Sequence, residues 1–413
     1  MRRSSLFALP AAAALALAGA GRSWAAEVSP IYGLQALGGQ NFYSGQRGSL
    51  SGNLSGVVAP AVKFDERWSL LPALNSNFQG TQQVLDVVGA GTLFQAQWDN
   101  RVGVKAVYTP ADSPWRLKPS FSVKYQLLQQ TKDEKLGSGL FDYYKWNTGL
   151  DVEYVYREPF SVRFGLDFFE THFPNYTSLE SQAATSFQGQ SLARELVGDH
   201  VLDTRSLLFM SAVEGPLSER LIAEGTAGLL YQRFPSQHLV AASGDLAPPL
   251  REDVVTMMGA SLKLPAELNS DLRVLGAFDL GASYESSNQN SYDATATQYL
   301  PYYYNFGELK VSPSVKFLFG SPRQATILGL GVTYWHRRYP YRPLQNSSGV
   351  YLGGSTHMNN WMVNSSLTYP MAPHFSLVFN FQHGQASSNQ TFEQFYKYNY
   401  TTTSYLFGFS YDY

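Results

Sequence analysis

The sequence predicts an all-β fold: a single transmembrane antiparallel up-and-down β-barrel. Three observations predict it. The last residues alternate, with Tyr405, Phe407, Phe409, Tyr411 and Tyr413 on one phase and mostly small or polar residues on the other. Side chains alternate across a strand, so one face of this segment is a continuous aromatic stripe. The same period of two recurs through most of the chain. Finally, only 15% of the residues are charged, against a usual share of about 25%, yet mean hydropathy is −0.20. Helical membrane proteins are far more hydrophobic, whereas apolar-out, polar-in strands average to such a middling value.

Residues 1–25 have the layout of a cleaved secretory signal. Arg2 and Arg3 form the basic start, the stretch 6–20 is apolar, and Ser23-Trp24-Ala25 offers small residues at the two positions a signal peptidase reads. Cleavage is expected after Ala25, leaving 26–413 as the barrel. No later apolar run approaches the ~18 residues of a membrane helix. Only helices and closed barrels satisfy every backbone group in lipid.

Short turn-like clusters punctuate the mature chain: Phe64-Asp65-Glu66-Arg67, Pro110-Ala111-Asp112-Ser113-Pro114, Arg157-Glu158-Pro159, Pro216-Leu217-Ser218-Glu219, Pro265-Ala266-Glu267-Leu268-Asn269, Ser321-Pro322-Arg323 and Met371-Ala372-Pro373. They recur at roughly 50-residue intervals, about two membrane strands plus a longer loop. The stretches between them end in longer loops rich in Asn, Gln, Ser, Gly and Tyr.

The strands between carry the alternation. Leu117, Phe121, Val123, Tyr125 and Leu127 alternate with Arg116, Lys118, Ser120, Ser122 and Lys124. Phe160, Val162, Phe164, Leu166 and Phe168 alternate with Arg163 and Asp167; Leu309, Val311, Val315 and Phe317 with Lys310 and Lys316; Phe375, Leu377, Phe379 and Phe381 with Ser376, Asn380 and Gln382. The weakest segment is 254–264, where neither face is clearly apolar. Short turns linking strand pairs, a closing strand, and a first strand over 31–38 followed by a loop at 40–47 give about 16 strands, within a range of about 14 to 18, with both termini at the short-turn end. Pro60, Pro72, Pro119 and Pro313 fall on the outward phase inside these strands. Proline removes a ladder donor, so they read as bulges at the rim.

The C-terminal segment resembles the assembly signal of bacterial outer-membrane β-barrels: a glycine, an apolar residue three on and a terminal aromatic two further. Here these are Gly408, Tyr411 and Tyr413. Leu406 departs from that signal, which usually carries a polar residue at its position. The resemblance implies the bacterial outer membrane as location, its lipid and the barrel-assembly machinery as partners, periplasmic short turns and extracellular long loops. Self-association into a homo-oligomer is left open. In general porins one extracellular loop folds into the barrel; the longest loop here, 175–203 with some helical character over 179–196, is the candidate, and an exposed flexible loop is the alternative.

Little points to catalysis. The absence of cysteine excludes disulfides and thiolate chemistry, and a net charge of −2 gives no sign of nucleic-acid binding. No nucleotide, zinc-protease or serine-hydrolase motif occurs, and neither a cofactor nor a metal is expected. His172, His200, His238, His336, His357 and His383 fall in or near the long loops and His374 at a short turn. Solvated histidine is the default, with His172, His200 and Asp199 the best case for a hydrolase at the outer rim.

The inward phase carries the informative charges: Arg101, Lys105, Arg116, Lys118, Lys124, Arg163, Arg273, Lys310, Lys316 and Arg337, with Asp151, Glu153, Asp167, Asp279, Glu285 and Glu308. Charges facing lipid are costly, so their confinement to one phase indicates a polar interior. They either line an open pore and set a transverse field or pair and fill the lumen. The first reading is a porin-like channel for passive diffusion of small hydrophilic solutes or ions, favoured by the width of a barrel of about 16 strands. The second is a structural or interaction barrel with a packed lumen, whose outer loops, with tyrosines such as Tyr302-Tyr303-Tyr304, bind a surface partner.

Overall fold

A computed structural model describes residues 26–85, 92–157, 160–177, 194–321, 324–392 and 398–413. The expected signal at 1–25, the loop segment 178–193 and the turn residues Glu158, Pro159, Pro322 and Arg323 lie outside the described residues.

Sixteen antiparallel strands close into one barrel. The first eight are β1 (Tyr32–Tyr43), β2 (Ser49–Val58), β3 (Trp68–Gln79), β4 (Ala96–Tyr108), β5 (Trp115–Gln129), β6 (Tyr143–Arg157), β7 (Phe160–His172) and β8 (Thr204–Ser218). The remainder are β9 (Leu221–Val240), β10 (Leu246–Asn269), β11 (Leu272–Ser287), β12 (Phe306–Phe319), β13 (Thr326–Gln345), β14 (Tyr351–Ala372), β15 (Phe375–Ser388) and β16 (Tyr400–Asp412). Each strand pairs with its sequence neighbour, and β1 pairs with β16 from Gly33↔Asp412 to Tyr43↔Thr402, so no edge is left. Tyr32 and Tyr413 exchange backbone hydrogen bonds of 3.0 and 2.8 Å, which places both termini at the end of the short turns.

The period of two sorts the side chains as expected. Phe121, Phe317 and Phe379 do not meet in a shared core. They lie on the outward register of β5, β12 and β15, opposite Thr148, Val274 and Leu367, and Phe121 is 49% exposed on the protein surface. Tyr405, Phe407, Phe409 and Tyr411 share that face beside Phe381, Phe379, Leu377 and Phe375. At the turn end, Trp68 packs on Tyr108 (4.5 Å between centroids), Trp115 on Tyr154 (4.9 Å) and Tyr32 on Tyr413 (4.8 Å). This is the girdle position of amphipathic aromatics.

Gly408 and Leu406 take the inward side of the closing strand. A Cβ on Gly408 would collide with the Ala36 carbonyl, and one on Gly39 with the Tyr405 carbonyl, so glycine on both strands permits their close approach at the seam. Leu406 packs with Leu37 and Val378 in a buried inward cluster. A polar residue there would interrupt that cluster, which accounts for the departure from the C-terminal signal.

Three expectations need correction. The first strand runs on through Gln40 to Tyr43, leaving only 44–48 as its loop. The expected turn at Pro265-Ala266-Glu267-Leu268-Asn269 is still strand, and the chain reverses at 270–271. Likewise Pro216-Leu217-Ser218 completes β8. A proline near a strand end forfeits at most one ladder bond, so it need not stop the strand. Nor are the four outward prolines bulges. Val58↔Leu74 and Val62↔Leu70 keep one register, so Pro60 faces Pro72 across a local gap. Pro72 still opposes Val104, Pro119 still opposes Leu150 and Pro313 still opposes Phe278. Pairing lapses only on the other side of each, because a residue's single N–H points to one neighbour. True register shifts sit beside tight turns, as between Val155 and Arg157 and between Glu267 and Asn269, and toward the long-loop end, as between Arg233 and His238 and between Tyr339 and Pro343.

Candidate functional site

Register places every charged residue singled out above on the inward face, and neighbouring strands bring most of them together. On β4–β7, Lys105 Nζ lies 2.8 Å from Asp151, Lys118 Nζ 2.7 Å from Glu153, Arg116 3.6 Å from the same carboxylate and Lys124 Nζ 2.6 Å from Asp99. Arg101 donates to the Ser122 hydroxyl at 3.1 Å, and Asp167 accepts from Asn147 at 3.3 Å. Gly149 makes room for Asp167, whose carboxylate occupies the space of a Cβ there. Several pairs reach over an intervening strand: Lys105 on β4 to Asp151 on β6, and Arg163 on β7 to Glu224 on β9 at 3.8 Å. Such a reach is open only on the concave side of a closed sheet.

The second charged arc lies on β10–β13. Arg337 makes a forked contact with Glu308, through Nε at 3.0 Å and Nη2 at 2.8 Å. Asp279 accepts from Ser261 at 2.6 Å. Arg273 opposes Glu267 in register. Lys310 and Lys316 neighbour Gly281 and Leu275 and point into open space. The remaining wall differs in kind. Strands β14, β15, β1, β2 and β3 contain no Asp, Glu, Lys or Arg, and β16 has only Asp412 at its end. Their inward residues include Asn53, Asn75, Asn77, Asn364, Ser366, Asn380, Gln382 and Ser404. The interior thus has an ionic side and an amide-and-hydroxyl side.

At the loop end the interior holds a cavity of about 570 Å³. Its wall combines polar groups of β5–β8 (Gln126, Lys145, Thr171 and Thr204) with Arg251, Asp253, Glu285, Arg337 and Arg342 and the rings of Phe234, Tyr304, Phe306 and Tyr339. Arg251 is saturated: Nε and Nη2 meet Asp253, Nη1 meets Gln237, and its plane stacks on Phe234 and Tyr304 at 4.2 and 4.3 Å. Arg342 lies between Tyr303 and Tyr339 at 4.2 and 3.8 Å. These arginines hold the aromatic walls as much as they add charge.

The roof comes from the connections. Phe173, Tyr176, Leu196, Val201 and Leu202 of the β7–β8 connection pack with Phe94, Leu128 and Phe141 in one buried cluster. These described ends of the long loop are packed; 178–193, which carries most of its expected helical stretch, lies outside the described residues. Asp142 anchors the cluster by accepting the Leu128 and Gly139 N–H groups at 2.7 and 3.1 Å, although burial pushes its carboxyl up. Across the cavity, the 3-10 turn Arg194–Leu196 reaches β9 and the β11–β12 connection. Gln237 donates to the Glu195 carbonyl at 2.9 Å and Tyr304 to the Glu195 carboxyl at 2.8 Å.

Reading the sequence missed Asp99, Lys145, Arg251, Asp253 and Arg342. Counting by twos from Asp151 reaches Lys145, and from Arg101 reaches Asp99, so the phase was available; the strand limits were not. The histidines stay at the ends of the barrel. His172 and His200 both meet Asp203, at 3.1 and 3.2 Å, and not Asp199. That cluster joins β7 to its following loop, and among the described residues no set of three or more His or carboxylate groups is arranged to hold a metal.

No protein-family model and no curated protein matches this chain. Among solved structures it is similar to a bacterial polysaccharide outer membrane secretin, at 7% identity over 93% of this chain and 98% of that one, with a TM-score of 0.45. It is similar to opdK from Pseudomonas aeruginosa at 10% identity over 93% and 99% (TM-score 0.45), and to the trimer form of OmpT from Vibrio cholerae at 12% identity over 94% and 99% (TM-score 0.42). At these identities the likeness is one of barrel architecture alone.

Proposed function

We propose that the barrel is a porin-like channel through which small hydrophilic solutes or ions diffuse passively across the bacterial outer membrane. One observation carries this reading. The inward charges pair along the wall and remain wet: the side chains of Lys105 and Arg163 are 41% and 49% exposed, while Arg101, Asp279, Lys310 and Lys316 are exposed to the interior. A packed lumen would bury such groups, at a cost of several kcal/mol for each ion left unpaired. Purified protein in planar bilayers is expected to give steady unit conductance steps; a silent barrel that is demonstrably folded would refute the channel.

A second reading has one observation in its favour. The roofed cavity at the loop end supports a barrel whose loops bind a surface partner while the passage stays shut. Silence in bilayers that persists after the 178–193 segment is removed would favour it over the channel.

A further inference from the structure

Like charges placed directly opposite each other on neighbouring strands are destabilising. The barrel nevertheless sets three basic side chains shoulder to shoulder: Arg101 opposes Lys124, and Lys124 opposes Lys145. The row continues on both sides, with Asn75 opposite Arg101, Thr171 opposite Lys145 and Thr204 opposite Thr171. Six adjacent inward side chains therefore all carry hydrogen-bond donors, and none carries a carboxylate.

Among the described residues, the middle of the basic trio is the member with a direct ion pair, Asp99 at 2.6 Å from Lys124; Asp167 acts on Lys145 from beyond ion-pair distance. Arg101 meets the Ser122 hydroxyl. Lys145 places its ammonium 3.3 Å from the centre of the Phe169 ring and has no carboxylate partner among the described residues. Thr204 is 4% exposed, and its hydroxyl oxygen has no hydrogen-bond partner. Lys145, Thr171 and Thr204 line the 570 Å³ cavity. Like charges also oppose each other at Glu214 and Glu224 and at Arg205 and Arg233, but there each member has an opposite charge in reach: Lys263 for both glutamates at 3.3 and 3.8 Å, Glu170 for Arg205 at 2.9 Å and Glu252 for Arg233 at 3.9 Å. Three adjacent cations with one direct carboxylate partner, beside a buried hydroxyl without a hydrogen-bond partner, call for a group rich in acceptor oxygens and negative charge.

We propose that this row binds small multiply charged oxyanions, inorganic or carboxylate, as they enter the bore. The site rests on the same lumen and names the solute class of the proposed channel, but its occupancy can be measured without current.

The test is calorimetric titration of the refolded full chain in detergent with inorganic phosphate and, separately, with succinate, in chloride buffer. Binding of either supports the site, and which of the two binds tells inorganic from carboxylate oxyanion. Lys145→Gln and Arg101→Gln are each expected to weaken binding by about tenfold or more, with Lys145→Arg near wild type. Failure of both anions to bind, or undiminished binding in both glutamine variants, overturns the proposal. Folding of each variant is checked by heat-modifiable migration. In anion-free buffer Lys145→Gln relieves repulsion and should raise the unfolding midpoint, an advantage that phosphate should erase for a true anion site. In bilayers, millimolar phosphate should reduce the chloride current of the wild type more than that of Lys145→Gln. Binding without conductance would refute the channel and leave the site. Conductance without binding would do the reverse.

Discussion

The Tyr304 hydroxyl donates to the Glu195 carboxyl at 2.8 Å and so fastens the β7–β8 connection to the β11–β12 connection, 109 residues away. Glu195 is 1% exposed, and burial raises its pKa, opposed by the Tyr304 hydrogen bond and the Arg251 charge. A carboxyl raised on folding favours the docked state fully below its free value of about 4.3. That contribution is lost as pH rises through the higher docked value. Protection factors for backbone hydrogen exchange over 194–204, which remove the intrinsic pH dependence of exchange, should therefore fall between acid and neutral pH. Glu195→Gln keeps a group that accepts from Tyr304 and removes the charge, so protection in that variant should lose this dependence. The same pH response in both proteins would detach the roof from Glu195.

Gly408→Ala is expected to damage closure. The added methyl meets the Ala36 backbone carbonyl, which belongs to the ladder that seals β1 to β16. Overpacking against backbone costs about 1–3 kcal/mol or more. The folded, heat-modifiable fraction after refolding into vesicles should fall sharply, and Gly39→Ala should do the same from the other strand. Gly225→Ala is the control, because a Cβ there meets nothing.

Charge reversal on the ionic side should change ion preference. Lys118→Glu puts a second carboxylate beside Glu153, and Lys124→Glu one beside Asp99. Together they should weaken or reverse any preference for anions, read as a shift of the reversal potential in a potassium chloride gradient. Asp151→Asn releases Lys105 and should shift it the opposite way. Unchanged selectivity in all three would exclude these groups from the conducting path.

Leu406→Ser restores the polar residue of the C-terminal signal and removes the centre of the cluster with Leu37 and Val378. If packing dominates, the urea midpoint should drop by an amount equivalent to about 2 kcal/mol or more. If the signal dominates, assembly in cells should improve instead. Measuring both separates the roles.

What the chain made legible follows from the physics of alternation. Phe121, Lys124 and Lys118 declare their faces within seven residues, because a closed sheet between lipid and water imposes a period of two. Strand limits near the loop end were harder. β10 runs for 24 residues and β9 for 20, well past the ~10 that a membrane needs, so Arg251 and Asp253 read as loop when they are wall. The contact of Glu195 with Tyr304 has no local signature, since only tertiary folding joins those loops. The prolines misled for a related reason: each costs a bond on one side, and a barrel holds its strands from both.

The division between an ionic bank on β4–β13 and an electrically quiet bank on β14–β3 has a consequence for anything that crosses. In a barrel that conducts as proposed, a dipolar molecule descending between them would experience a sideways torque, so it should travel with one heading and not tumble. Zwitterions and oriented water would then pass in single alignment, and turning one end of such a molecule to the wrong bank would slow its transit.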